Sequence, residues 1–321
     1  MRRVMHRLRG DEGSSSVMFA LLLIPLLGFM AIALDVGALY AERAQLQNGA
    51  DAAALAIAQE CAGVGCGEAA SIASSYADAN ANDGAATALT PTFPATRTVT
   101  VTTSTRVAAT GAATISHPFA TFIGHDSSSV RAAATAEWGY PGAARVALPL
   151  ALSVCDVPGH VSGARVLLDF GTTANCTSPS GAAVPGGFGW LVPTLGECGM
   201  FVDSAVGRTA SDSGNEYLAA CDSTLAGLLG QTILIPVYDG AGGSGSGAWY
   251  HVYGFAAFTV TGWNFSGGGA SGRYHADPSA PSCTGSCRGV QGFFVDWVSL
   301  DGSITDLDGP DLGASAIRLT K

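Results

Sequence analysis

The chain has 321 residues, of which 48% are hydrophobic and only 12% charged, and its net charge is −10. The charged share is about half that of an ordinary soluble domain, while the acidic balance excludes nucleic acid as a partner, because neutralising phosphates needs clustered Lys and Arg. The length fits one large domain or two ordinary ones.

Charge is unevenly placed. Arg2, Arg3, Arg7 and Arg9 against Asp11 and Glu12 leave residues 1–12 at +2, and so the remainder at −12. Residues 1–16 read as a basic cytoplasmic tail. The next stretch, "VMFALLLIPLLGFMAIAL" (17–34), holds eighteen residues without a charge. That suits a transmembrane helix, which needs roughly 17–25 apolar residues. Val17, Phe19, Leu22, Pro25, Leu27, Phe29 and Leu34 mark the span, and Pro25 is expected to kink it. A buried core helix is one rival. A cleaved secretory signal is another, since "AIA" (31–33) has the small-x-small form of a cleavage site. Retention is preferred because the helical pattern runs on past it. The arginines place the N-terminus in the cytoplasm and the bulk of the chain outside, in a single-pass topology.

From Asp35 the sequence "DVGALYAERAQLQNGADAAALAIAQEC" runs without proline. Leu39, Leu46, Ala50, Ala53 and Ile57 recur at helical spacing on one face. One helix from about Ser16 to Gln59 would be roughly 65 Å long. Its outer half either packs on its own body, meets partner helices, or does both.

Several residues of this region form an ordered set. Arg9, Gly10 and Gly13 precede the span, and Pro25 lies within it. Asp35, Val36 and Gly37 stand at its outer end, followed by Leu46-Gln47-Asn48 and Asp51-Ala52-Ala53-Ala54-Leu55-Ala56. The segment 9–58 resembles the N-terminal region of the TadE/TadG-like proteins of Flp (tight-adherence) pilus assembly. The β-rich part to Trp138 fits that resemblance less closely, and the later chain looks like the exported part of TadG-related proteins. The resemblance implies a bitopic bacterial envelope protein whose partners are the lipid bilayer and other Tad/Flp pilus components. It implies neither catalysis nor a cofactor, and Asp35, Gly37, Leu46, Gln47, Asn48, Asp51, Ala53 and Leu55 become candidate helix contacts. Two features depart from it. Members processed by a prepilin peptidase carry a glutamate five residues after the cleaved glycine, a place held here by Met18 counted from Gly13, or Ser15 counted from Gly10. A retained anchor is therefore expected. The D-x-S-x-S site of a von Willebrand A domain is approached only by "DSSSV" from Asp126, which ends in valine, so that domain is not inferred.

Beyond the long helix, "EAASIASSYADANAN" (68–82) predicts a short helix with Ile72 and Tyr76 on one face. "RTVTVTTSTRVAA" (97–109) alternates as a strand. "HPFATFIGHDSSSVRAAATAEW" (117–138) predicts a loop or short helix followed by a strand. Residues 35–140 thus read as a helix extension with a small β region, pilin-like in outline. "GYPGAA" (139–144) breaks the pattern, and 141–321 reads as a β-rich exported domain. Its expected strands lie in 145–154, 164–170, 231–239, 249–265 and 292–300. The run 249–265 is apolar on both alternating sets, which predicts a central strand. "DGAGGSGSGA" (239–248) predicts a flexible loop. The fold class is α+β.

Eight cysteines, Cys61, Cys66, Cys155, Cys176, Cys198, Cys221, Cys283 and Cys287, form an even set outside the membrane and read as disulfides. Proximity favours joining each to its neighbour in that order. Zinc is the rival at Cys283 and Cys287, with His275 nearby. For chemistry the sequence offers little. It contains no G-x-S-x-G or H-E-x-x-H, and its one lysine is Lys321, which rules out a phosphate-binding G-K-[ST] loop. His251 reads as a core or surface histidine rather than a base. Asp306, Asp308 and Asp311 suit a turn better than calcium. Trp249, Trp263 and Trp297, with Tyr250 and Tyr253, either fill a core or stack on sugars. "NCT" at Asn175 matches a glycosylation sequon that a bacterial origin would leave idle. The expected function is a non-enzymatic, membrane-anchored pilus assembly component without cofactor, metal or small-molecule substrate. A surface adhesin or glycan-binding module and a secreted hydrolase are the alternatives.

Overall fold

The structure is a computed structural model that describes residues 12–63, 65–157, 163–169, 175–184, 186–193, 197–212, 221–265, 273–296 and 303–320. The chain divides into two compact units. The first runs to Ala136 and takes in Leu319–Lys321; the second is Glu137–Arg318. The architecture is a long apolar-to-amphipathic helix followed by a β-rich, disulfide-bonded remainder.

In the first unit, α1 (Glu12–Gly63) is 52 residues long, or about 78 Å at 1.5 Å per residue. It passes through Pro25 without a break. A helical proline has no N–H to give to the carbonyl four residues back, here that of Leu21. Downstream, Leu46, Ala50, Ala53, Ala54, Ile57 and Ala58 are buried. They face α2 (Ala69–Asn80) and a sheet built from β1 (Ala86–Ala88), β2 (Thr92–Ala95) and β3 (Thr98–Thr105). β4 (Ile115–Ser116) pairs with β5 (Ser127–Ser128), and β6 (Arg131–Gly139) lies beside β3. The Thr103 hydroxyl donates to the Leu46 carbonyl at 2.8 Å, tying helix to sheet inside the core.

The buried face of α2 differs from the expected one. Ala69, Ala73 and Ala77 turn inward, whereas Ile72 is half-buried and Tyr76 exposed. The reason is close helix packing. A Cβ on Gly49 would stand 3.3 Å from the Ala77 Cα and 3.3 Å from the Tyr76 carbonyl oxygen. Only small residues fit between backbones that near.

The second unit is organised on a large sheet. In chain order its strands begin with β7 (Ala143–Val146), β8 (Leu150–Ser153), β9 (Val166–Asp169), β10 (Cys176–Thr177) and β11 (Ala183–Val184). Then come β12 (Phe188–Leu191), β13 (Met200–Asp203), β14 (Thr209–Asp212), β15 (Thr232–Gly242) and β16 (Trp249–Asn264). The last are β17 (Tyr274–His275), β18 (Gly289–Phe294) and β19 (Ile304–Asp306), whereas β20 (Ala316–Leu319) belongs to the sheet of β1, β3 and β6. The main order is β14-β12-β8-β15-β16-β18-β9, with β17 on β16. A second sheet runs β13-β7-β19.

β15 and β16 form the antiparallel centre, from Thr232 opposite Thr259 to Gly242 opposite Trp249. Ile233, Ile235, Phe258 and Val260 enter one core with Trp190 and Leu225 of the short helix α3 (Asp222–Gly227). Leu234, Tyr238, Val252 and Phe255 enter a second core with Val146, Val202 and Ile304 of the smaller sheet. Burial on both faces is why 249–265 reads as apolar on both alternating sets. The glycine-rich stretch is shorter as a loop than expected, because β15 continues to Gly242. There Trp249 covers the backbone, and a Cβ on Gly242 would come within 2.7 Å of its Cζ2 atom. The expected strand 292–300 is a strand only to Phe294; residues 297–300, Trp297 included, lie outside the described residues, as does residue 170.

The disulfides are Cys61–Cys66, Cys155–Cys176, Cys198–Cys221 and Cys283–Cys287. Cys198, Cys221 and Cys283 are buried, and the middle two bonds each close a loop of more than twenty residues. Loops of that size correspond to roughly 3 kcal/mol apiece in the chain-entropy view.

Candidate functional site: the anchor helix and its exported extension

Every large apolar side chain from Val17 to Leu34 is exposed, among them Phe19 at 68% and Phe29 at 73%. Leaving such a side chain in water instead of burying it forfeits about 1.5–3 kcal/mol. An apolar surface this continuous calls for a covering medium. The helix is long and apolar enough to cross a membrane.

At the end of that run the environment changes. Asp35 is buried, and its carboxylate accepts the backbone N–H groups of Phe119 at 3.2 Å and Ala120 at 2.6 Å. Those two donors open a 3-10 turn, Ala120–Ile123. A buried carboxylate demands such donors, because leaving it unpaired would be costly. Asp35 is thus a fastening point within the first unit.

The remaining candidate residues of α1 split by helical phase. Leu46 and Ala53 point inward and are buried. Gln47 donates to the Asp51 carboxylate at 2.7 Å and reaches the Ala133 carbonyl at 3.4 Å, so this pair also serves the unit's own packing. Gly37, Asn48 and Leu55 are exposed. Together with exposed Ala44 they fall at intervals of seven, four and seven residues, which aligns them along one side of the helix. A Cβ on Gly37 would meet nothing within 4 Å.

Some contributors carry no sequence signal of their own. Gln45 accepts the Asn82 N–H at 2.8 Å, and Thr103 and Gly49 hold the helix to its neighbours. The Phe119–Ala120 turn falls in the stretch expected as a loop or short helix, and Gly124, with a φ of +85°, closes it.

In the second unit, candidate chemistry resolves into local structure. His251 Nδ1 lies 2.5 Å from Oδ1 of buried Asp239. Asp306 and Asp311 accept backbone N–H groups of Asp308 and Gly313 as turn carboxylates. Trp263 is buried, while the Arg208 guanidinium lies over the Trp249 ring at 4.1 Å. Tyr238 and Tyr250 stack with ring centres 4.3 Å apart, and burial pushes both phenols above their usual range. Among the described residues no group of three or more His, Cys, Asp or Glu could hold a metal ion.

Among the described residues, the fold and the helix together define one potential membrane-spanning helix followed by β-rich, disulfide-bonded structure. Residues 13–60 match the family model described as putative Flp pilus-assembly TadE/G-like. No curated protein and no solved structure matches the chain. The matched segment takes in the apolar run, the Asp35 fastening and the outward line from Gly37 to Leu55, and ends just before Cys61.

Proposed function

We propose that the protein is a non-enzymatic, single-pass component of a Tad/Flp-type pilus assembly and secretion apparatus. Its basic tail lies in the cytoplasm, Val17–Leu34 crosses the cytoplasmic membrane, and the helix extension, small sheet and β-rich domain stand outside. There the extension, pilin-like in outline, contacts other pilus or envelope components.

The observation that carries this reading is the match of residues 13–60 to the pilus-assembly family over a helix that exposes Gly37, Ala44, Asn48 and Leu55 along one side. A helix face left free by its own unit is available to another helix, and the small residues Gly37 and Ala44 on it let a partner backbone approach. The basic tail of +2 before the span favours the assigned orientation.

The test is a double substitution, Asn48→Arg with Leu55→Arg, in a producing cell. Both side chains are exposed, so the protein should reach the membrane at its normal level while piliation falls several-fold. Undiminished piliation would overturn the role given to this face.

A further inference from the structure

The turn fastened by Asp35 lies against the far end of the apolar run. Eighteen apolar residues span about 27 Å, slightly less than the roughly 30 Å of a bilayer's hydrocarbon core. The whole run from Val17 to Leu34 is therefore needed to cross, and Leu27–Leu34 lies within the outer part of that core. Phe119 and Ala120 share an apolar groove with this same stretch, lined also by Leu27, Met30, Ala31 and Leu34. A segment that touches the outer half of the span must sit where the span sits.

The turn is built to hold that position. Asp35 accepts two of its backbone N–H groups. The Thr121 hydroxyl donates to the His117 carbonyl at 2.7 Å, and buried His117 is hydrogen-bonded through Nε2 to the Ser128 hydroxyl at 2.8 Å. The hairpin of β4 and β5 closes behind it. The N–H groups of Phe119 and Ala120 go to Asp35 and that of Thr121 to the His117 carbonyl, the kind of pairing that lipid contact requires. Phe119 nonetheless remains 41% exposed.

We propose that the Phe119–Ile123 turn is a second membrane-contacting element: Phe119 enters the outer leaflet, and the groove beside Leu27–Leu34 takes a lipid acyl chain. This rests on the membrane-spanning reading of α1. The element widens the apolar surface at the outer end of the span, and Asp35 sets the depth at which the exported unit meets the bilayer.

The test places a photoreactive benzoylphenylalanine at position 119 of the full-length chain, one copy per phospholipid nanodisc. Position 29 in the span and position 93 in β2, also an exposed phenylalanine, are compared with it. Lipid adducts at 29 and 119, several-fold above those at 93, are expected. Asp35→Ala should reduce the adducts at 119 several-fold and leave those at 29 unchanged, with Asp35→Asn restoring part of the loss. Adducts at 29 with 119 no higher than 93 would overturn the inference and leave the span standing. Their absence at 29 as well would overturn both.

Discussion

At the scale of single residues, acidic side chains do the joining. Asp35 fastens a turn, and Asp277 gathers a polar cluster in the second unit. The Asp277 carboxylate accepts the Thr261 hydroxyl at 2.5 Å and the Ser279 N–H at 2.8 Å, and lies 3.4 Å from the Arg165 guanidinium. Those hydrogen bonds, led by Thr261 and aided by Arg165 and His275, hold its pKa below the usual carboxylate value. A lowered folded-state pKa means stability that is complete above the unfolded value of about 3.9 and is lost as pH falls through the folded one. The Asp277→Asn variant should therefore show a smaller drop in Tm between neutral and strongly acidic pH than the parent, measured on detergent-solubilised protein. An equal drop would remove Asp277 from the acid response. None of this cluster is legible in the sequence, because Thr261, Asp277 and Gln291 come together only through the pairing of β16 with β17 and β18.

At the scale of elements, local patterns and long-range pairings differ in how far they can be read. The buried face of α1 is visible as Leu46, Ala50, Ala53 and Ile57, since helical phase alone decides it. The central strand β16 is visible for a similar reason: two covered faces leave no polar alternation. The inner face of α2 is not visible. Hydrophobicity points to Ile72 and Tyr76, but the distance between helices selects alanine. Asp35 with Phe119 is likewise hidden, because the partners lie 84 residues apart. The helix pair gives a direct prediction. Gly49→Leu would gain helix propensity of about 1 kcal/mol but would push a branched side chain into the Ala77 backbone. A net loss of about 1–3 kcal/mol is expected in chemical denaturation of the first unit's signal. A neutral or stabilising result would mean that α2 can move aside at no cost.

At the scale of the whole molecule, composition bears more on the setting than on the chemistry. Sparse charge, an apolar helix before an acidic remainder, and four neighbouring disulfides fit a body made in an oxidising compartment and held at a membrane. The disulfide partners are near in sequence, so proximity alone reaches them. The inner architecture of the second unit is less legible. Its sheet places β8 beside β15 in parallel and β9 beside β18, connections that no local pattern announces.

Protease added to the outside of intact spheroplasts tests the central claim most directly. With Val17–Leu34 across the membrane and the body outside, digestion should remove the disulfide-bonded units and leave a short N-terminal fragment, extractable only with detergent. A full-length chain protected from protease, or a body already free in the medium with its N-terminus near Leu34, would contradict the anchored, outward-facing arrangement.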